Sequence, residues 1–137
     1  GKDITEIIVM KEQRRLYLMH KKTVLKSFRI DLGFAPRGHK AVEGDGKTPE
    51  GRYVVNRYNP DSKFHLSLGI SYPNNRDRAR AQALGKSPGS DIFIHGQPNK
   101  PRRLKKDWTL GCIAVTNEEV EYMFAQVKRG TPVHIYP

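Results

Sequence analysis

The chain has one cysteine in 137 residues, Cys112, so no disulfide can close within it. It has no Cys-x-x-Cys and no His-x-x-x-His pair, the spacings from which zinc sites are built, and this argues against a metal centre. No run approaches the ~20 consecutive apolar residues that a membrane-spanning helix needs. Acids are scarce beside bases, 14 against 25. No signal segment is legible at Gly1-Lys2-Asp3, which leads straight into the apolar stretch Ile4 to Met10. No internal boundary divides the sequence, which reads as a single domain over residues 1–137, enough to bury roughly 68–70% of its unfolded surface.

What is present in excess is positive charge. The formal net charge is +11 and the isoelectric point is near 10.0. Such a chain is drawn to anionic material by its long-range field and by counterion release. The densest cluster is Lys100-Pro101-Arg102-Arg103-Leu104-Lys105-Lys106. It reads either as a solvated loop or as a contact for substrate carboxylates. A nucleic-acid-binding or anionic-envelope-binding module with an incidental cysteine is one account of this charge. Against nucleic acid, the aromatics do not interleave with the basic run and no recognised nucleic-acid motif appears.

Short β-rich runs separated by polar turns (Ile4 to Met10, Leu16 to Met19, Val24 to Ile30) predict an antiparallel meander. Glycine and proline punctuate Asp31 to Glu50, which predicts a long loop of functional or mobile character. Strands resume at Arg52 to Tyr58 and Phe64 to Ile70. A helix is predicted over Asp77 to Leu84, closed by Gly85. Thr116-Asn117-Glu118-Glu119 has the capping-box pattern, and Val120, Met123, Phe124 and Val127 form one apolar helical face. Lys128 and Arg129 are expected at that helix's end, with Gly130 stopping it and a strand following from Pro132 to Tyr136. This helix is expected to back the strand carrying Cys112. The fold class is mainly β, a mixed or sandwich-like sheet with one or two short helices.

The chemistry concentrates in Asp91-Ile92-Phe93-Ile94-His95-Gly96 and Asp107-Trp108-Thr109-Leu110-Gly111-Cys112-Ile113-Ala114-Val115. Ile92-Phe93-Ile94 and Ile113-Ala114-Val115 read as buried strands. If they are neighbours, His95 leaves one and Cys112 enters the other at one edge of a sheet. A free thiol is only about 3% ionised at neutral pH, so a nucleophilic Cys112 needs a base such as His95 to take its proton and lower its pKa. Gly111 lets a substrate approach, and the Cys112 amide can face a developing oxyanion. Packing alone is the other account of both residues, since a lone cysteine is often simply buried.

Ile94-His95-Gly96, a basic loop, then Thr109-Leu110-Gly111-Cys112-Ile113 resembles the catalytic motif of the L,D-transpeptidase (YkuD-like) family. Gly46-Lys47-Thr48-Pro49-Glu50-Gly51-Arg52-Tyr53 is similar to the family's Thr-Pro-x-Gly element, and the closing Gly130 to Ile135 extends the likeness over most of the chain. Leu110 stands where most members have a second histidine, and Ala114 where many have arginine. The resemblance implies that Cys112 is the nucleophile and His95 the base. It implies Gly96 shaping the histidine's turn and the amides of Gly111 and Cys112 as oxyanion donors. Thr109, Trp108, His65, Arg102 and Arg103 are the candidate substrate contacts, with the basic loop rimming the site; Trp108 either lines the pocket or packs on that loop. The substrate implied is a peptidoglycan stem peptide, handled without cofactor or metal by a protein exported to the periplasm or cell envelope. Transpeptidase, carboxypeptidase and amidase outcomes all remain open.

Overall fold

The computed structural model describes residues 2–137. Eight strands form one mixed sheet in the order β3-β2-β1-β8-β4-β5-β6-β7. β1 (Glu6–Met10), β2 (Arg15–His20) and β3 (Thr23–Arg29) are the expected meander, paired antiparallel. Alternation sends Ile7, Val9, Leu16 and Leu18 into the core. β8 (Pro132–Tyr136) runs parallel to β1 and antiparallel to β4 (Gly51–Ser62), which joins the meander to the other half. β5 (His65–Ile70) pairs antiparallel with β4 and with β6 (Phe93–His95), and β6 pairs parallel with the two-residue β7 (Ile113–Ala114). The architecture is therefore mainly β with two short helices, as the alternation predicts.

Both helices begin with capping boxes. α1 (Asn75–Ala83) starts from Asn74, whose side chain accepts the Asp77 amide while Asp77 accepts the Asn74 amide. Asp77 is itself buried, taking hydrogen bonds from His39 (2.7 Å) and Tyr53 (2.7 Å), so the cap doubles as an anchor. α2 (Asn117–Gln126) starts from Thr116 with Glu119 closing the box. It ends at Gln126, so Lys128 and Arg129 fall beyond the last turn rather than in it. α2 packs chiefly against β5 and β6, and so backs the strand of His95; the expectation that it backs the strand carrying Cys112 is corrected.

The long segment from Asp31 to Glu50 has little regular structure, yet polar anchors fix it. Buried Lys11 donates to the carbonyls of Gly38 (2.9 Å) and Thr48 (2.7 Å) and to Glu50 (3.0 Å). Asp45 collects the amides of Ala41, Val42 and Lys47 and the ammonium of Lys40, which together hold its pKa down at about 2. His39 accepts the Glu50 amide on Nδ1, so its Nε2–H donates to Asp77. A loop expected from glycine and proline alone is thus tied to β1 and α1.

Candidate active site

Parallel register pairs Ile94 with Ile113 and His95 with Ala114. One step earlier Phe93 faces Cys112, and the Phe93 N–H donates to Cys112 Sγ at 3.4 Å. Register-paired positions share a face and successive ones alternate. Ile94 and Ile113 therefore enter the core while Cys112 and His95 are diagonal neighbours on the opposite face. The expected juxtaposition at one sheet edge is realised, but as same-face neighbours and not as a closed thiol–imidazole hydrogen bond. Sγ instead meets the Phe93 amide and, at 3.5 Å, the Asp91 carbonyl.

His95 is only 2% exposed. Its Nδ1 contacts the Gly96 carbonyl at 2.8 Å, so Nδ1 carries the proton and Nε2 is left as the acceptor. Phe64 stacks on the ring and Trp108 leans against it at 5.6 Å. Burial in this aromatic surround pushes the imidazole's pKa below 6.5, which keeps it neutral and able to accept. Gly96 is fixed by its N–H to the Phe64 carbonyl at 2.9 Å. A Cβ there would meet Asn117 Oδ1 at 2.4 Å, so the turn after the histidine requires glycine.

The turn into Cys112 is built around Thr109. Its hydroxyl donates to the Cys112 carbonyl at 2.7 Å and accepts the Gly111 amide at 3.1 Å. Thr48 donates to the Gly111 carbonyl at 2.9 Å and accepts the Gly33 amide at 3.2 Å. Gly111 has φ +141°, and a Cβ would meet the Lys47 carbonyl at 2.8 Å. Two expectations change here. Thr109 is buried and holds the turn instead of facing a substrate. The Gly111 amide is already engaged by Thr109, which leaves the Cys112 amide, with no hydrogen bond among the described residues, as the donor toward an oxyanion.

The thiol's electrostatics also differ from expectation. Burial pushes the Cys112 pKa up, and Asp91 adds to this. The Phe93 amide and the cations of Lys40 and Arg57 pull it down, and His95 is not among its influences. Both shifts oppose a thiolate–imidazolium pair and favour the neutral forms of thiol and imidazole. Sequence reasoning missed Lys40 and Arg57, because neither shares a spacing pattern with Cys112.

Cys112 opens into a cavity of about 430 Å³ lined by Lys40, Glu43, Asp91 and Ile92, with Phe34 and Leu110 at its walls. Phe34 and Leu110 are 58% and 79% exposed. Leu110 thus gives the entrance an apolar wall where the motif's histidine would give a polar one.

The other predicted contacts fall elsewhere. His65 pairs with Glu121 of α2 at 2.5 Å and does not line the Cys112 cavity. Arg102 lies over Trp108 at 5.5 Å and borders a separate groove of about 560 Å³ with Lys63, Phe64 and Lys100. The basic loop, Arg103 included, contributes nothing to the walls of the Cys112 cavity, contrary to its expected place at the rim. Trp108 packs between His95 and Arg102, with its indole N–H buried and unpaired. No group of three or more His, Cys, Asp or Glu able to hold a metal occurs among the described residues.

Comparison with known proteins agrees with this geometry. YafK of Escherichia coli strain K12, assigned by name to the L,D-transpeptidases, is 33% identical over 96% of this chain and 53% of its own length. A mutant of the helical cell shape determining protein Pgp2 of Campylobacter jejuni superposes with TM-score 0.75 at 28% identity, covering 98% of this chain and 47% of Pgp2. Bd1075 of Bdellovibrio bacteriovorus superposes with TM-score 0.69 at 26% identity, covering 98% and 48%. The chain spans about half the length of each of these relatives. The YkuD family, the L,D-transpeptidase catalytic domain, matches residues 4–135, and the chain belongs to that family.

Proposed function

We propose that this domain, taken as one catalytic unit, is a cysteine acyl-transfer enzyme acting on peptidoglycan stem peptides in the periplasm or cell envelope. The observation that carries the reading is the shared face of Cys112 and His95 on the parallel β6–β7 pair, with Nε2 of the imidazole left as acceptor by the Gly96 carbonyl.

As substrate enters, Sγ attacks the carbonyl at the L-centre of a diamino acid and His95 Nε2 takes the thiol proton. The S–C bond forms, and the carbonyl oxygen, now an oxyanion, meets the Cys112 amide. The C–N bond then breaks and His95 returns its proton to the departing amine, leaving a thioester. An incoming amine gives a cross-link; water gives carboxypeptidase or amidase products. A resting neutral pair suits this order, because charge develops only once substrate excludes water from the site. The absence of any helix long and apolar enough to cross a membrane, among the described residues, is compatible with an exported domain.

The test is product analysis with purified stem peptides. Release of the terminal D-residue, or a new cross-link, that disappears in Cys112→Ala supports the reading. A protein that changes no peptide and instead binds DNA with steep salt dependence favours a basic binding module.

A further inference from the structure

Strand register sets Arg57, Gly69, Phe93 and Cys112 in one row across the sheet. Arg57 of β4 stands opposite Gly69 of β5, and Gly69 opposite Phe93 of β6. Phe93 lies beside Cys112, one step before the Ile94–Ile113 pair. Register-paired positions share a face, so the row lies on the face that carries the thiol. The next row holds Ser67, His95 and Ala114. Of the residues in these two rows, Arg57 alone carries a permanent charge.

The reach of Arg57 toward the thiol is built into the sheet. A Cβ on Gly69 would meet Arg57 Nε at 2.5 Å and Nη2 at 2.8 Å, so the guanidinium lies over the glycine and needs its bare backbone. Beyond Gly69 the guanidinium carbon stands 5.0 Å from the centre of the Phe93 ring, a cation–π contact. Phe93 is the residue whose N–H donates to Cys112 Sγ at 3.4 Å. The charge itself is uncommitted. Arg57 makes no salt bridge among the described residues, its Nε is buried without a partner, and Nη2 reaches the Ile70 carbonyl only at 3.5 Å. Lys40, the other cation acting on the thiol, is held by Asp45 at 3.1 Å. Packing alone would favour an apolar side chain at position 57, because an orphaned donor on a half-buried cation costs stability.

We infer that Arg57 is a positioning residue for the nucleophile: through Phe93 it fixes the amide that meets Cys112 Sγ, and its uncompensated charge favours the thiolate as the proton passes to His95. Gly69 is the passage that makes this reach possible. The consequence for catalysis rests on the acyl-transfer reading, whereas the effect on the thiol needs no substrate. The other ionisable groups around Sγ are Asp91, Glu43 and Lys40 on the cavity wall and His95 in the next row, and all four are kept in the variants that test the role.

The experiment follows alkylation of Cys112 against pH in wild type, Arg57→Met, Arg57→Lys and Gly69→Ala, with kcat and KM on a stem peptide. Arg57→Met keeps the length of the side chain without its charge. It should move the alkylation midpoint to higher pH and slow the reaction at pH 7 several-fold. Its kcat should fall comparably with KM unchanged, because Arg57 does not line the Cys112 cavity. Arg57→Lys should stay within about twofold of wild type, since an ammonium also binds an aromatic face. In Gly69→Ala the flexible end of Arg57 is what gives way to the new methyl, and the profile should match that of Arg57→Met. A midpoint unmoved in Arg57→Met, Met and Lys variants that behave alike, or a Gly69→Ala profile equal to wild type overturns the role. The expected shifts in a protein inert to every stem peptide uphold the positioning of the thiol and overturn the stem-peptide reading alone.

Discussion

Phe64 stacks nearly parallel on His95, with ring centroids 4.3 Å apart and an interplanar angle of 18°. With Trp108 on the same imidazole, it holds the ring in one orientation and keeps water away. Lost packing here should change the base's titration rather than substrate affinity. Phe64→Leu is expected to lower kcat roughly tenfold with little change in KM. If His95 is the base, the acid limb of kcat/KM is expected below pH 6.5 in wild type, because burial depresses the His95 pKa. Admitting water should move that limb upward, and a pH–rate profile shows whether it does.

The same depressed pKa links to stability. Unfolded His95 binds a proton below about 6.5 while the folded ring resists it, so this contribution is present above 6.5 and is lost as pH falls. Asp45 acts in the same direction at lower pH, its contribution fading between 3.8 and about 2. Asp45→Asn should therefore cost about 1–2 kcal/mol at pH 7 and flatten the acid end of the stability curve. Denaturant unfolding at pH 7, 4 and 2.5 measures both effects.

The thiol should be less reactive at rest than a catalytic cysteine's reputation suggests. Burial and Asp91 raise its pKa, and Lys40 and Arg57 oppose them. Without substrate, alkylation at pH 7 should be slower than that of a free thiol and should climb with pH beyond the ordinary thiol range. Arg57→Gln should slow it further, by several-fold. Alkylation faster than the free thiol would show an ion pair that this geometry does not contain.

Gly111→Ala tests the turn. The new methyl would meet the Lys47 carbonyl at 2.8 Å in a backbone conformation that L residues rarely adopt. A loss of about 2–3 kcal/mol and of at least a hundredfold in activity is expected. Thermal unfolding and kinetics on one preparation separate the two losses.

The basic loop gives the contrary prediction. Arg103, Lys105 and Lys106 do not line the Cys112 cavity. Replacing all three with Gln should leave kcat/KM within about twofold at physiological salt, where exposed charges are well screened. Arg102 is left in place because it packs on Trp108.

How far the sequence carries is seen in particular residues. The meander and both helices are legible, because alternation in Ile7, Val9, Leu16 and Leu18 and the Thr116 capping box are local signals. The two short apolar strands beside His95 and Cys112 are legible as well, while their pairing is a condition in the sequence that the register of β6 with β7 meets. Which group binds which hydrogen is not legible. Thr109 beside the motif looks like a substrate contact until its hydroxyl is found spanning Gly111 and Cys112. His65 finds Glu121 56 positions away, and Lys40 reaches the thiol's surroundings from an irregular loop. The basic run lies between His95 and Cys112 in sequence, yet its Arg102 packs on Trp108 and the run stays clear of the cavity walls. Long-range placement of this kind leaves no periodic trace.

The most direct test of the central claim is intact-protein mass spectrometry after brief mixing with a stem peptide. A single adduct is expected, with the mass of the peptide less its departing residue. It should be absent in Cys112→Ala and should form at least a hundredfold more slowly in His95→Ala. An adduct that persists in Cys112→Ala, or His95→Ala acylating at the wild-type rate, would contradict the account.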